Sequence, residues 1–259
     1  MITLIEWEKS LSRTTQGALA EKPLDRARQR ADAPAVLAEL ATVTRQSLQG
    51  QVYDSLYRAI SSGVFAPGQR FSLRSVADAL GTSTMPVREA VRRLIEVGAL
   101  EALENRRLRV PLLDAERYRD LIRARLTIES SATESGVPGM SDGAITEVSR
   151  LHEEMCELSA KPYTDKYAQH YLALNRNFHF TIYESANSRT LINIIESLWV
   201  RTGPFLHILH RRASEWRGND IHARIVDAVH RRDGQAAKAA VHEDIEAAMN
   251  FVIKDDIFS

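Results

Sequence analysis

The stretch VYDSLYRAISSGVFAPGQRFSLRSVADALGTSTMPVREAVRRLIEVGALEAL, residues 52–103, contains three apolar patterns with helical spacing, separated by glycines. The first pattern ends at Gly63 and the second at Gly81, and glycine commonly stands just past the C-terminus of a helix. Ser72 can cap the second helix, and Pro86 is tolerated in the first turn of the third. Two short helices joined by so tight a glycine turn are typical of a helix-turn-helix. The apolar faces are Val52, Leu56, Ala59 and Ile60, then Leu73, Val76, Ala77 and Leu80, then Val87, Ala90, Val91 and Leu94.

Two short β-prone runs follow the third helix. They cover Leu100–Glu104 and Leu108–Leu112 and are joined by residues 105–107. Runs of this length around a polar connection predict a hairpin, which would lie where a wing follows a helix-turn-helix. Residues 45–113 are therefore predicted to form a winged helix-turn-helix domain.

The start of the third helix favours a contact with DNA. Arg88 and Arg92 lie one turn apart on a face that differs from the apolar one, together with Thr84 and Met85. A helix enters the major groove with its N-terminal residues towards the base edges, and arginine can bond guanine bidentately. The alternative is an ordinary solvated face, in which the two arginines pair with nearby glutamates.

The charge distribution does not decide between these interpretations. The formal net charge of the chain is zero, but residues 45–113 hold ten arginines, no lysine and six acidic residues. For a protein that touches DNA through one domain, this distribution matters more than the sum. An excess of this size also suits an ordinary solvated surface.

The same stretch resembles the GntR family of bacterial regulators almost throughout. The resemblance is carried by APGQR at residues 66–70, by LG-x-S-x-x-PVREA-x-RRL at residues 80–94 and by G-x-L at residues 98–100. These pieces are specific in combination, and they imply double-stranded DNA as the partner of this domain.

The resemblance also implies which residues touch DNA. Thr84 departs from the family pattern, because arginine is usual there, and Arg107 stands where the wing tip usually has glycine. These departures predict an unusual operator sequence and put the wing contact in doubt. Contacts to bases or phosphates are expected from Arg74, Ser83, Thr84 and Arg88, with the wing near Asn105 and Arg106, and the exposed helix face adds Met85 and Arg92.

After Pro111 the sequence predicts helices without a convincing strand. Breakers separate them, for example Gly136-Val137-Pro138-Gly139 and Asp233-Gly234. Residues 114–259 are expected to form an all-α bundle for effector binding and dimerisation, long enough to enclose a pocket. The predicted fold class is thus mainly α, a winged helix-turn-helix followed by a helical bundle. Its clearest helices are expected at Glu116–Ser135, Asp142–Ser159, Thr164–Ala186, Arg189–Arg211, Asn219–Arg232 and Gly234–Ile253.

The region from about Asp114 to Val252 resembles the FCD ligand-binding domain of the FadR-like branch of the GntR family. Many members hold a divalent metal with Asp-x-x-x-His on one helix and a histidine on each of two later helices. The matching residues here are Asn175, His179, His222 and Asp244, the last chosen by spacing over nearby His242.

Two of these four ligands match the family, one is a carboxylate and one is the weaker ligand asparagine. Such a mixed set can still bind Zn²⁺, Mn²⁺ or Ni²⁺. Taken alone, each histidine would more often be a surface residue or a hydrogen-bonded core residue than a ligand.

Arg125 and Glu129 match a recurring R-x-x-x-E of the FCD domain, whose arginine faces the pocket in relatives. The alternative is a surface ion pair between residues i and i+4. A guanidinium beside the apolar residues of this helix is costly to desolvate unless an anion pairs with it. The effector is therefore expected to be a small organic acid held by Arg125, with Arg201 as a weaker candidate.

Bulk properties narrow the class of protein. The single cysteine, Cys156, cannot form an internal disulfide, which fits a reducing compartment. The start, MITLIEWEKS, has acids and no long apolar run, so neither a secretory signal nor a membrane partner is expected, and the protein is expected in the cytoplasm. Residues 1–44, which contain Pro23 and Pro34, are expected to be a flexible arm.

These observations predict a one-component bacterial regulator. It would bind a pseudo-palindromic operator as a homodimer and, as a repressor, release DNA when a ligand binds. The alternatives are a metal-dependent enzyme built on the helical domain and a sensor whose ligand is the metal itself. The sequence shows no nucleophile–base pair of recognisable spacing and no cofactor-binding loop, but His179 and His222 could organise a metal-bound water.

Overall fold

The computed structural model describes residues 48–104, 107–161, 164–211 and 218–254 together with Phe258. The predicted arm at residues 1–44 lies outside them, as do Asn105 and Arg106. In this part of the chain no helix combines the length and the apolarity that a bilayer span requires. The helices are α1 (Leu48–Ser61), α2 (Leu73–Ala79), α3 (Thr84–Glu96), α4 (Ala115–Gly136), α5 (Asp142–Ser159), α6 (Asp165–Glu184), α7 (Arg189–Arg211), α8 (Gly218–His230) and α9 (Gly234–Ile253). The strands are β1 (Arg70–Ser72), β2 (Glu101–Ala102) and β3 (Arg107–Arg109).

The helix-turn-helix forms as its capping residues and apolar spacing predict. The Ser72 hydroxyl accepts a hydrogen bond from the Ser75 backbone amide, and the Ser75 hydroxyl accepts one from the Ser72 backbone amide, which closes a capping box at the start of α2. Gly63 and Gly81 adopt φ of 65° and 61° after α1 and α2, a conformation that glycine tolerates best. The predicted face of α3 is at most 1% exposed. Leu80 was predicted for the apolar face of α2, but it is 39% exposed. The reason is that α2 ends at Ala79, so that Leu80 is its C-cap residue.

The wing is a three-stranded antiparallel sheet in the order β1-β3-β2. Its hairpin strands are shorter than predicted, and β1 was not expected at all. The prediction that Arg107 lies in the connection is wrong, because Arg107 belongs to β3 and pairs with Ser72 of β1. Leu108 lies opposite Phe71 on one side and Ala102 on the other, and it is fully buried in the domain core.

The helical domain packs α4 to α9 around one core. Four of its helices begin at side chains that accept a hydrogen bond from a backbone amide in the first turn, namely Asp114, Ser141, Thr164 and Asp233. The bounds of α5, α7 and α9 are those predicted, and α4, α6 and α8 differ by one or two residues. The largest buried side chains of this core include Trp199, Tyr118, Tyr183, Phe178 and Phe205.

The two domains meet along α1 and α7. Val200 of α7 is fully buried and belongs to the core of the N-terminal domain. The Tyr57 hydroxyl of α1 donates to the backbone oxygen of Glu196 at 3.0 Å. The backbones of α1 and α7 come close together at Gly203, since a Cβ there would lie 2.4 Å from the carbonyl oxygen of Ser61. A change in the position of α7 therefore acts directly on the N-terminal domain.

Candidate functional site

The start of α3 presents the residues predicted to touch DNA. Thr84 and Met85 are exposed, Met85 by 71%. Ser83 is the N-cap residue but makes no capping hydrogen bond with its hydroxyl, which therefore remains available to a phosphate. Arg74 of α2 is also exposed, with Asp78 only 4.0 Å from its Nε.

The two arginines of the exposed face of α3 differ in their partners. Arg92 contacts Glu89 at 3.5 Å and Glu96 at 2.5 Å, so the intrahelical pairing considered as an alternative holds for this residue. Arg88 is half-buried, and its Nε is buried without a hydrogen-bond partner among the residues that the structure describes. A donor left unpaired in this way is costly. Arg88 is therefore the better candidate for a base contact, whereas Arg92 would first have to give up its ion pairs with Glu89 and Glu96.

A small cavity lies inside the helical domain between α4, α6, α7, α8 and α9. It is lined by all four residues predicted as metal ligands, Asn175, His179, His222 and Asp244, and by Arg125. Its volume is about 30 Å³, which suits a water molecule or a metal ion better than an organic metabolite. The structure thus brings these five residues, from four helices, together in one cavity.

Three side chains in the cavity have the spacing of metal ligands. Asp244 Oδ2 lies 3.3 Å from His179 Nε2, and Asp244 Oδ1 lies 3.4 Å from His222 Nε2. Zinc bonds of about 2.0–2.1 Å at the tetrahedral angle place ligand atoms about 3.3–3.4 Å apart. All three side chains are buried, and their ligand atoms lie within 4.8 Å of one another. Each of the two observed distances is close to such a ligand–ligand separation, with the two histidines facing different oxygens of Asp244.

A hydrogen-bond chain fixes the tautomer of His179. The Tyr183 hydroxyl donates to Glu129 Oε2 at 2.7 Å and also lies 3.2 Å from His179 Nδ1. Because a hydroxyl has one proton, His179 Nδ1 must carry its own proton and donate it to the Tyr183 oxygen. In a neutral ring Nε2 is then an unprotonated acceptor that faces the Asp244 carboxylate. Two acceptors at this distance need a cation or a proton between them.

The charges around the cavity agree with this assignment. Burial raises the pKa of Tyr183 well above its ordinary value, and the nearby Glu129 charge adds to the shift, so the phenol keeps its proton. Burial also lowers the pKa of His179, which favours the neutral ring. For Asp244 burial alone would raise the pKa, but the interactions with His222 and His179 outweigh it, so the pKa of the carboxyl lies below its usual range. The cavity thus holds an ionised carboxylate beside a histidine that favours the ligand form.

Arg125 forms a buried pair with Glu129, not the surface ion pair considered as an alternative. Its Nε donates to Glu129 Oε1 at 2.6 Å and its Nη2 to Oε2 at 3.1 Å, and both side chains are at most 5% exposed. Trp199 Nε1 donates to the same carboxylate at 3.0 Å, and its ring lies 4.7 Å from the guanidinium carbon. Burial alone would lower the pKa of Arg125, but the charge and hydrogen bonds of Glu129 raise it above the ordinary value.

The prediction that Arg201 faces the effector pocket is wrong, because Arg201 does not line the cavity. It follows Trp199 by two positions, which is more than half a turn around α7, and its guanidinium lies close to Gly98 of the N-terminal domain. Tyr183 and Trp199 are the functional residues that the sequence did not suggest. Tyr183 stands one turn after His179, so helical spacing could have found it, whereas Trp199 reaches Glu129 only through the packing of α7.

Comparison with known proteins finds a matching family for each of the two domains. The model of the bacterial regulatory proteins of the gntR family matches residues 48–110, and the FCD domain model matches residues 120–247. The transcriptional regulator McbR of Escherichia coli (strain K12) is 32% identical over 164 residues, which cover 63% of this chain and 72% of McbR. The transcriptional repressor RspR of the same organism is 24% identical over 204 residues, 78% of this chain and 87% of RspR.

Solved structures give the same result. The E. coli McbR/YncC structure superposes with a TM-score of 0.74 at 28% identity, over 80% of this chain and 97% of that one. A GntR regulator from Rhodococcus sp. RHA1 has a TM-score of 0.65 at 24% identity, over 79% and 97%, and shows the shared fold. The chain therefore belongs to the GntR family of bacterial regulatory proteins, as a transcriptional regulator and not an enzyme, with an N-terminal helix-turn-helix and a C-terminal FCD domain.

Proposed function

We propose that this regulator is a metal-containing repressor, homodimeric on a pseudo-palindromic operator, that releases DNA when a small carboxylate binds in the helical domain. The observation that carries the proposal is the buried cluster of His179, His222 and Asp244, which is linked through Tyr183 and Glu129 to the guanidinium of Arg125. A divalent cation at the cluster would supply one anchor for the carboxylate, and Arg125 would supply the other.

The dimer part of the proposal rests on the fold, and the repressor part rests on the name of a relative. Helix-turn-helix domains commonly bind as dimers to two half-sites one helical turn apart, which explains palindromic operators. The relative RspR carries the name of a repressor.

The donor set fits Zn²⁺, Ni²⁺ or Mn²⁺. The separations from Asp244 to the two histidines match ligand–ligand distances, and the hydrogen bond that His179 Nδ1 donates to Tyr183 leaves Nε2 for the metal, as is usual for histidine ligands. His222 Nδ1 is buried without a hydrogen-bond partner among the described residues, so this ring is less firmly oriented. Asn175 would complete the set as a neutral oxygen ligand. The single carboxylate leaves a net positive charge at the metal, which attracts an anion.

Effector binding must enlarge the cavity, because about 30 Å³ does not hold an organic acid. Trp199 and Leu206 of α7 form part of its wall. The same helix carries Val200 in the N-terminal core and Gly203 against Ser61. An outward shift of α7 would therefore favour a different arrangement of the two domains and change the population that can bind the operator.

We expect untagged protein loaded with Zn²⁺ or Ni²⁺ and dialysed to retain up to one ion per chain. His179→Ala and His222→Ala should each abolish retention, because a four-ligand site rarely survives the loss of a nitrogen donor. Elemental analysis measures the ion, and His230→Ala is the matched control, since His230 lies exposed on α8 outside the cavity. Operator release by carboxylates should require the metal. A wild-type protein without bound ion after loading contradicts the metal site, and release by the ion alone favours a metal sensor.

Replacing Arg88 with alanine should cost about 1–3 kcal/mol in binding to the cognate operator, if Arg88 makes a bidentate base contact. The loss should be much smaller on unrelated DNA, since only a base contact carries sequence information. A gel-shift titration measures both affinities. Arg123→Ala is the control, because Arg123 is exposed on α4 in the other domain. Equal loss on cognate and unrelated DNA would show that Arg88 contacts phosphate only.

A further inference from the structure

A second, larger cleft lies where the N-terminal domain meets the helical domain. Its volume is about 430 Å³, within the usual range of small-molecule sites. One wall comes from α1 and α3 and the other from α6 and α7. We name it the interdomain cleft, and define it by the four arginines that line it, Arg58, Arg93, Arg176 and Arg189.

The interdomain cleft carries an excess of positive charge. Its four arginines face two acidic residues, Asp54 and Glu196, which leaves two positive charges uncompensated. In the part of the chain that the structure describes, Arg58, Arg93 and Arg189 form no ion pair with a carboxylate. Guanidinium groups from two domains that outnumber the carboxylates of one concave site raise the local concentration of anions.

Stacking on aromatic rings holds two of these arginines in place. The Arg93 guanidinium carbon lies 3.8 Å from the centre of the Tyr53 ring, and that of Arg176 lies 3.8 Å from the centre of the Phe180 ring. Arg176 reaches Glu196 only at 3.7 Å, and its buried Nε has no hydrogen-bond partner among the described residues. A stacked guanidinium keeps its planar fork for bidentate contacts to an anion.

We propose that the interdomain cleft is a second ligand site, which takes a small phosphate monoester. A phosphate monoester carries about −1.5 to −2 charges near neutral pH, which matches the excess of two positive charges. Its three oxygens can accept bidentate hydrogen bonds from more than one guanidinium. The site shares no lining residue with the metal cavity, so it does not depend on the proposed carboxylate effector.

The interdomain cleft lies on a different side of α3 from the residues predicted to contact DNA. Arg93 follows Arg92 by one position, and successive residues are about 100° apart around a helix. Arg189 belongs to α7 of the other domain. A phosphate monoester bound between Arg93 and Arg189 would therefore hold the two domains together without competing for the operator, and would tune operator affinity by stabilising one domain arrangement.

Calorimetry with glycerol 3-phosphate tests the proposal on the full chain, made metal-free beforehand and kept in a chloride buffer. We expect wild type to bind at millimolar concentrations or below, and glycerol to give no signal. Arg93→Gln and Arg189→Gln should each weaken binding about fivefold or more, because each removes charge-assisted hydrogen bonds. Arg119→Gln is the control, since Arg119 is exposed outside the cleft. His222→Ala should bind as wild type does.

Three results would overturn the proposal. The first is the absence of binding to wild type at millimolar glycerol 3-phosphate. The second is an unchanged affinity in both cleft variants, or a loss in His222→Ala, which would place the phosphate in the metal cavity. The third is a loss of operator affinity in the cleft variants without any phosphate binding, which would assign these arginines to the DNA backbone.

Discussion

Replacing Glu129 with alanine should destabilise the helical domain by about 3–5 kcal/mol, because it leaves a buried charge without its partner. Glu129 is fully buried and accepts hydrogen bonds from Arg125, Tyr183 and Trp199. Its loss leaves the buried guanidinium and two buried aromatic donors without their shared acceptor. A typical domain is stable by only about 5–15 kcal/mol, so the variant is expected to be partly unfolded or to aggregate at moderate temperature.

Urea unfolding followed by circular dichroism measures this effect. Asp120→Ala is the matched control, because Asp120 is an acidic residue of the same helix that pairs with Arg123 at 3.0 Å while both side chains stay exposed. That exposed pair should contribute less than about 1 kcal/mol. Glu129→Gln keeps the shape and removes the charge, so it should lie between the other two. Equal stability of Glu129→Ala and Asp120→Ala would mean that water or another acid replaces the carboxylate.

Local signals in the sequence predicted most of the helical domain. Ser141, Thr164 and Asp233 stand where a new apolar pattern of helical spacing begins. Each side chain accepts a hydrogen bond from a backbone amide of the first turn and so fixes the start of its helix. The strand β1 could not be predicted in the same way. It has three residues, and it exists only because Phe71 pairs with Leu108, a partner far away along the chain. Short strands depend on tertiary pairing more than on propensity.

The sequence could name residues of the candidate site, but it could not show which side chains they contact across the core. Family spacing named Asn175, His179, His222 and Asp244, and the structure brings them to one cavity. Spacing does not show what a side chain meets across the core. Arg201 was expected in the pocket and points instead towards Gly98, because the rotation of α7 is set by its contact with α1. That contact was not predicted, since the glycine that permits it is unremarkable within a helical pattern.

Gly203→Ala should disrupt the contact between α1 and α7 that joins the two domains. A Cβ at this position would lie 2.4 Å from the carbonyl oxygen of Ser61 and 2.6 Å from that of Ile60. Backbone atoms cannot move aside as the end of a flexible side chain can, so α1 and α7 must separate. Overpacking of this kind costs about 1–3 kcal/mol, and more where the backbone must shift. The cost falls on the interface, because Gly203 faces α1 while the metal cavity is lined by other residues of α7.

Differential scanning calorimetry should show this as two transitions in Gly203→Ala, with the N-terminal domain melting first, where wild type melts as one unit. Gly143→Ala is the matched control: Gly143 is also helical, its nearest neighbour to an added Cβ is the Ser141 hydroxyl at 4.0 Å, and the change should stabilise α5 by up to about 1 kcal/mol. If α7 transmits effector binding, Gly203→Ala should retain metal and still bind the effector, yet its operator affinity should no longer respond. A single unshifted transition, or an intact response, would mean that the signal reaches the DNA-binding domain by another route.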